Sequence, residues 1–475
     1  MSDYARSLHS SPMEEAVDKD EMNDCSDGEA LDFEKSDDDV ESLASSEVNA
    51  LEEEEVEQDE AVIEDMRKLE ENCPQIARRF RLISRVGEGT FSTVYKAEDL
   101  TFDSARFTAE LADLDYDAKI ERRRKLGIRW TERQYVALKK IYVTSSPARV
   151  LNELQILNDL RGHKSVCHIK TAFRFADQVI AVLPYFPHVD FRLLYRTFLV
   201  EDMRHYFKSL LSGLSFVHSE EVIHRDIKPT NFLYHPKLRH GVLVDFGLAE
   251  YESDGVGECL CRAPRASYTL EFDKIIETAQ GGSTQGPAGY LKNDSRPSRR
   301  ANRAGTRGFR APEVLFKCMH QSSKIDIWSV GVILLTFMAR RFPFFHSLDD
   351  ADALIEIGCI FGYRKMQRAA AEHGQVFDTN IPSIGEKGYT LARIVQWSSC
   401  VDELTGREKQ AIRLLNHLLD LSPKTRYTAL QALQHSFFQN PQGDDLPWGE
   451  DEQEEPSAEA NDETACEAGD DVKLI

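Results

Sequence analysis

The chain has 475 residues and a formal charge of −23, unevenly placed: residues 1–70 hold 26 Asp and Glu against 5 Lys and Arg, residues 441–475 hold 13 against 1, and the stretch between carries a net +10. That length suits two or three average domains, or one two-lobed enzyme with tails. Nine scattered cysteines, no signal peptide and no apolar run of membrane-spanning length point to a reducing compartment and away from a secreted or membrane-embedded protein. The basic body suits acidic ligands or substrates and the acidic tails do not suit DNA, so neither direct nucleic-acid binding nor membrane association is expected.

Residues 1–70 are rich in serine and almost free of aromatics, and Glu52 to Glu55 form a like-charge run. Such a segment buries too little apolar area to offset the entropy of ordering, so a disordered acidic tail is expected over 1–75. Ser36, Ser42, Ser45 and Ser46 lie among acidic residues, open to phosphorylation or to a plain spacer role. Order is expected from Ile76. Arg81 to Val86 alternates as a strand does. Gly87-Glu88-Gly89-Thr90-Phe91-Ser92-Thr93-Val94 follows, and its two glycines let backbone N–H groups close over phosphates. Thr93 to Ala97 reads as a second strand. Residues 99–134 are heavily charged, with Arg122-Arg123-Arg124, and read as a partly helical insertion.

Val136-Ala137-Leu138-Lys139 is an apolar strand ending in a lysine. A buried lysine needs a partner, and Glu153 supplies one from a helix expected over Ala148 to Leu160, with Val150, Leu154 and Leu157 as its apolar stripe. Lys139 can then keep its charge and face the α- and β-phosphates of a nucleotide. Gln178 to Leu183 reads as a strand and Pro184-Tyr185-Phe186-Pro187 as a linker between lobes. A helix from Met203 to Ser219 leads into His224-Arg225-Asp226-Ile227-Lys228-Pro229-Thr230-Asn231, a loop with more charge than a turn requires. In it Asp226 can accept a proton from an attacking hydroxyl, Lys228 can neutralise a moving phosphoryl group and Asn231 can hold a metal ion. Val242 to Val244 is a strand running into Asp245-Phe246-Gly247, where a carboxylate at a strand end suits Mg²⁺.

From Asp245 to Ala311-Pro312-Glu313 the chain is too long and too poor in apolar residues for a compact loop, so 252–300 is expected to be a flexible insert. Cys259 and Cys261 have the spacing of half a zinc site, but no second Cys or His pair lies close by in the chain, so ordinary thiols are expected. An apolar helix begins at Ile325. Residues 346–398 are weak in pattern and predict another insert. Glu408 to Leu419 is helical, a last helix ends near Phe438, and an acidic tail occupies 441–475.

Taken together and in order, Gly87–Val94, Lys139, Glu153, His224–Asn231, Asp245–Gly247 and Ala311–Glu313 resemble the eukaryotic protein kinases. Lys228 resembles the Ser/Thr rather than the Tyr branch. The resemblance implies an α+β, two-lobed fold over 76–440: a small antiparallel β lobe with one helix over about 76–183 and a larger, mostly helical lobe over about 188–440. It implies ATP and Mg²⁺ as cofactors, and a nucleotide pocket of Val86, Gly87, Glu88, Gly89, Val94, Ala137, Lys139, Leu183, Tyr185 and Phe186. Asp226, Lys228, Lys139 and Glu153 would be catalytic, and Asn231 and Asp245 would hold the metal. Thr306 would contact Asp226 and Lys228, Asp326 would hold the catalytic loop, and Arg426 would pair with Glu313.

A narrower resemblance rests on Val182 to His188, with proline in the hinge, on Asp190-Phe191-Arg192, and on Gly305 to Glu313. These are similar to the cell-division-cycle-seven kinases, the catalytic subunits of DDK. That group implies an activating regulatory subunit, the minichromosome-maintenance helicase as substrate and a nuclear site of action. The approach Ser145-Ser146-Pro147 offers the Glu153 helix no obvious local anchor, which predicts a poorly active monomer. Arg307 and Arg310 flank the place beside the residue after the phosphoacceptor, where they predict a preference for acidic or phosphorylated neighbours; internal pairing of one arginine is the alternative. Asp352 to Ile357 with Phe361-Gly362 also resembles cyclin-dependent-type kinases, which leaves another acid-directed kinase open. A pseudokinase scaffold stands against the presence of Lys139, Asp226, Asn231 and Asp245.

Overall fold

The computed structural model describes residues 59–89, 91–102, 134–252, 259, 261 and 301–440. Residues 1–58 of the expected N-terminal tail, the C-terminal tail from 441, residues 103–133 of the expected insertion and nearly all of the 252–300 insert lie outside the described residues. Described residues from Glu60 onward belong to one compact unit.

Order starts earlier than the charge pattern predicts. Helix α1 spans Glu60–Asn72 and α2 spans Pro74–Arg79, inside and just past the segment expected to be tail. Met66, Leu69, Cys73 and Ile76 recur at helical spacing and are buried against the sheet. The acidic residues around that narrow stripe find partners: Asp65 accepts from the Tyr95 hydroxyl at 2.5 Å and Glu70 from the Leu82 N–H at 3.2 Å. Charge averaged over the segment hides a stripe this narrow.

Strands β1 (Phe80–Glu88), β2 (Ser92–Asp99) and β3 (Tyr135–Ile141) come next, then helix α3 (Pro147–Asp159), β4 (Thr171–Phe175) and β5 (Gln178–Pro184). The five strands form one antiparallel sheet in the order β1-β2-β3-β5-β4. Strand alternation then sorts the side chains. Tyr95, Ala97, Val136, Leu138, Ile180 and Val182 pack under α1 and α2. The opposite face carries Val94, Ala137 and Lys139, with Val94 opposite Lys139 and Ala137 opposite Leu183 in the ladders. On α3 the fully buried side chains are Glu153, Ile156 and Leu157; Val150 and Leu154 of the expected stripe are only partly covered.

The larger lobe holds α4 (Phe191–Leu194), α5 (Val200–Ser219), β6 (Val222–Ile223), β7 (Phe232–His235), β8 (His240–Leu243) and β9 (Glu250–Tyr251). After them come α6 (Pro312–Leu315) and α7 (Lys324–Met338), which is apolar and buried on all sides. Residues 346–398 do not form an insert. They fold into α8 (Asp350–Phe361), α9 (Tyr363–Glu372) and α10 (Leu391–Ser399), and Ile357, Ile360, Met366, Ala369, Ala370, Leu391 and Val395 join the main core. Small residues let these short helices pack closely: a Cβ on Gly358 would come within 3.2 Å of Phe377 and Ile384. Helix α11 (Gly406–Leu418) follows, and the expected last helix is two short ones, α12 (Ala429–Leu433) and α13 (Ser436–Gln439), each with its own cap.

Candidate active site

Asp326, fully buried on α7, organises the loop after β6. Its carboxylate accepts the backbone N–H groups of His224 and Arg225, both at 2.8 Å, and lies 3.0 Å from His218 Nε2. Burial opposes its charge, yet the His218 hydrogen bond and the neighbouring histidines hold it below the usual aspartate range. Arg225 takes a left-handed backbone (φ 69°), which a non-glycine residue keeps only where surroundings enforce it. Its buried guanidinium supplies that force by donating to Gln321 Oε1 at 2.7 Å and to Glu250. Gly305 passes so close that a Cβ there would lie 2.5 Å from the Arg225 carbonyl, at a φ of 111°.

Asp226 is thereby aimed into the cleft with each oxygen doubly engaged. Oδ1 accepts the Thr306 N–H at 3.0 Å and its hydroxyl at 2.7 Å. Oδ2 accepts Lys228 Nζ at 2.8 Å and Asn231 Nδ2 at 3.1 Å. Lys228 also donates to the Thr306 hydroxyl at 3.2 Å. Burial alone raises an aspartate's pKa; the Lys228 and Thr306 hydrogen bonds win, and Asp226 stays below its ordinary range. Asn231 spends its amide hydrogens on Asp226, also reaching its backbone carbonyl at 2.8 Å, so its amide oxygen is the atom suited to a cation.

Lys139 Nζ lies 2.6 Å from Glu153 and 2.7 Å from Asp245. Burial works against its charge, but the two carboxylates hold its pKa above the ordinary lysine value. Asp245 is correspondingly lowered to about 2, against a smaller-than-needed push from burial and chiefly through Lys139. Like Arg225 it is left-handed (φ 64°). The glycine-rich turn is closed by a Gly89 N–H bond to the Ser92 carbonyl at 2.9 Å, with Gly87 opposite Val94; Val86 and Glu88 are exposed on it. At the hinge, Lys96 Nζ lies 4.7 Å from the Tyr135 ring centroid and 4.9 Å from that of Tyr185, and Phe186 meets His240 edge-on at 5.9 Å.

The arginines expected at the substrate end divide. Arg310 pairs with Asp350 at 2.7 Å and donates to the Gly305 carbonyl, so its charge is internally matched. Arg303 shares the same carboxylate at 2.8 Å, while Arg307 is exposed and donates to the Leu348 carbonyl.

The second half-site missing from the local sequence is present in space. Cys259 and Cys261 meet Cys318 and His373, distant in sequence, and one donor atom from each of the four lies within 4.8 Å of the others. All are buried. The mutual hydrogen bonds of the three cysteines hold the Cys259 thiol well below the ordinary range and push those of Cys261 and Cys318 up, so the three share protons as one group. The packing of α6 against α9 sets Cys318 near His373, a contact that sequence spacing cannot report.

The model for the protein kinase domain matches residues 125–265 and 286–438. The chain belongs to the protein kinase family. It is 44% identical over 392 residues to the cell cycle serine/threonine-protein kinase hsk1 of Schizosaccharomyces pombe, covering 79% of this chain and 75% of that one. It is 40% identical over 361 residues to a probable cell division control protein 7 homolog of Encephalitozoon cuniculi (76% and 92%) and 27% identical over 560 residues to the human cell division cycle 7-related protein kinase (80% and 93%). Within the kinases, then, it is a cell-cycle Ser/Thr kinase of the cell-division-cycle-seven group, using ATP and a divalent metal ion.

Proposed function

We propose that this kinase is the catalytic subunit of a DDK-type heterodimer. In the nucleus it transfers the γ-phosphoryl group of Mg²⁺-bound ATP to Ser or Thr beside acidic or phosphorylated residues of the minichromosome-maintenance helicase, initiating DNA replication. The carrying observation is the joint placement of Asp226, Lys228 and Thr306 on one side and Lys139, Glu153 and Asp245 on the other. Asp226 aligns the substrate hydroxyl and receives its proton as the oxygen bonds to phosphorus and the bond to the β-phosphate oxygen breaks. Lys228 offsets charge on the moving group, and Lys139 steadies the α- and β-phosphates. Asp245 and Asn231 would hold Mg²⁺, which supplies charge neutralisation at the phosphates.

The regulatory subunit is supported by resemblance and by a surface. Val143 and Leu151, on the approach to α3 and on its outer side, are 59% and 65% exposed. The expected lack of a local anchor for α3 does not support it: Ser146 Oγ caps the helix, Asn152 Nδ2 donates to the Ala249 carbonyl at 2.9 Å, and the Lys139–Glu153 pair is formed within this one chain. Acid-directed specificity is supported by Arg307, an exposed residue that no carboxylate pairs among the described residues, near the Arg303–Asp350–Arg310 group. We also propose that the Cys₃His cluster is a structural zinc site, because its donor set and closure are those zinc takes in such sites.

Radiolabelled transfer from ATP–Mg²⁺ to an acidic Ser peptide tests the reading, with the chain alone, with its co-purified partner and with Asp226→Asn. Transfer requiring the partner and lost in the variant is expected. Equal transfer without a partner would remove the regulatory subunit from the proposal and leave the kinase. Unchanged preference for acidic neighbours in Arg307→Ala and Arg310→Ala would remove the arginines.

A further inference from the structure

Phe91, at the tip of the glycine-rich turn, is a large apolar side chain left 45% exposed. The Arg149 guanidinium carbon lies 4.1 Å from its ring centroid. The same guanidinium donates from Nε to the carbonyl of Gly247 at 2.8 Å. Arg149 sits in the first turn of α3, its backbone N–H bonded to the capping Ser146 Oγ at 3.3 Å. One side chain therefore touches the turn that covers phosphates, the helix that carries Glu153, and the peptide two residues beyond Asp245.

We infer that Arg149 is a positioning residue that couples closure of the glycine-rich turn over the ATP phosphates to the placement of Asp245. Its chemistry suits the task. A guanidinium is planar, so its face can lie on an aromatic ring while its edge donates a hydrogen bond. Holding α3 in place does not need Arg149: Asn152 donates to the Ala249 carbonyl at 2.9 Å and the Tyr251 hydroxyl to Asp159 at 2.7 Å, both tying α3 to the segment after Gly247. What Arg149 adds is Phe91. Gly247 matters to the approach as well, since a Cβ there would lie 3.3 Å from Asp245 Oδ1 and 3.4 Å from Glu153 Oε2.

Binding of ATP–Mg²⁺ and of adenosine is measured on the full chain carrying Arg149→Ala, Phe91→Leu, both together, or Phe91→Tyr. Adenosine lacks the phosphates, so it reports the pocket without the turn. Each of the first two changes should weaken ATP–Mg²⁺ by about 3- to 30-fold, the range of one cation–π contact. The double variant should be no weaker than the worse single one, adenosine should bind as to the parent, and Phe91→Tyr should keep parental ATP affinity. Additive losses, an equal loss for adenosine, or parental ATP affinity in Phe91→Leu would overturn the inference. Should Arg149→Ala not fold, Phe91→Leu against Phe91→Tyr decides, because Phe91 is exposed.

Discussion

Two sets of buried charges in this molecule use the same pairing to different ends. In the larger lobe Arg426 and Glu313 are both 1% exposed. Arg426 donates to the two Glu313 oxygens at 2.6 and 2.9 Å and to the carbonyls of Asp420 and Lys324, both at 2.9 Å, with Trp328 under its guanidinium. Its donors are spent inside the fold. At the cleft, Lys139 is joined to Glu153 and Asp245 just as tightly, but the Asp245 side chain stays 47% exposed. Pairing alone therefore does not mark chemistry. A pair that keeps one face open to an arriving ligand does, and a closed pair is a brace.

The contrast can be broken most sharply at Asp226. Asp226→Asn keeps the shape and removes the proton acceptor, so kcat should fall roughly 10³-fold or more, about 4 kcal/mol of transition-state stabilisation, with a far smaller loss of stability than Arg426→Ala causes. Lys139→Ala should behave alike in rate. Either variant near parental turnover would undo the distinction. Arg426→Ala should do the reverse, because it strands the buried Glu313 carboxylate: a loss of about 3–5 kcal/mol in chemical denaturation, with kcat of the folded fraction retained. A rate loss without a stability loss would make Arg426 more than a brace.

The cysteine cluster belongs with the braces, since its four donors are buried. Zinc analysis of the purified chain should find metal released on thiol modification. Cys318→Ser should lower both metal content and thermal midpoint while leaving the ATP KM unchanged. Parental zinc content in Cys318→Ser would dismiss the site.

The open pairs were the most legible part of the sequence. Asp226, Lys228, Asn231, Asp245, Lys139 and Glu153 sit at fixed spacings because each must reach one small reacting group, and short motifs carry such constraints. The braces were half legible: Asp326 and the Glu313–Arg426 pair follow from resemblance, whereas the cluster of Cys259, Cys261, Cys318 and His373 depends on tertiary packing that no local period encodes. Helix α1 was hidden for a different reason. Its apolar stripe is a few residues wide, and its acids, unfavourable in isolation, are matched only once Tyr95 and the Leu82 N–H stand opposite. Residues 346–398 misled because their helices are short and α9 is strongly polar overall, with Arg364, Lys365 and Arg368 on its outer side, so its few buried residues, Met366 and three alanines among them, do not stand out as core.

The smallest effect expected separates the two sets by pH. Asp245, at about 2, and Asp226 and Asp326, both below the usual aspartate value, have folded pKa values depressed relative to the unfolded chain. The sign follows: their charged forms stabilise the fold, that contribution is complete above the unfolded aspartate value near about pH 4, and it is lost as pH falls through the depressed values. At pH 6 Asp245, at about 2, is protonated in roughly one molecule in 10⁴, and Asp226, held below the ordinary aspartate value, is charged there as well, so the two cleft aspartates should leave kcat flat, within about twofold, from pH 8 to pH 6. Denaturation midpoints should fall only on the acid side, and Asp326→Asn, less stable at neutral pH, should show a shallower fall there than the parent. An acid limb in kcat near pH 6 that shifts in Lys139→Arg would mean that Lys139 does not hold Asp245 charged, and the cleft pair would then differ from the brace in more than its exposure.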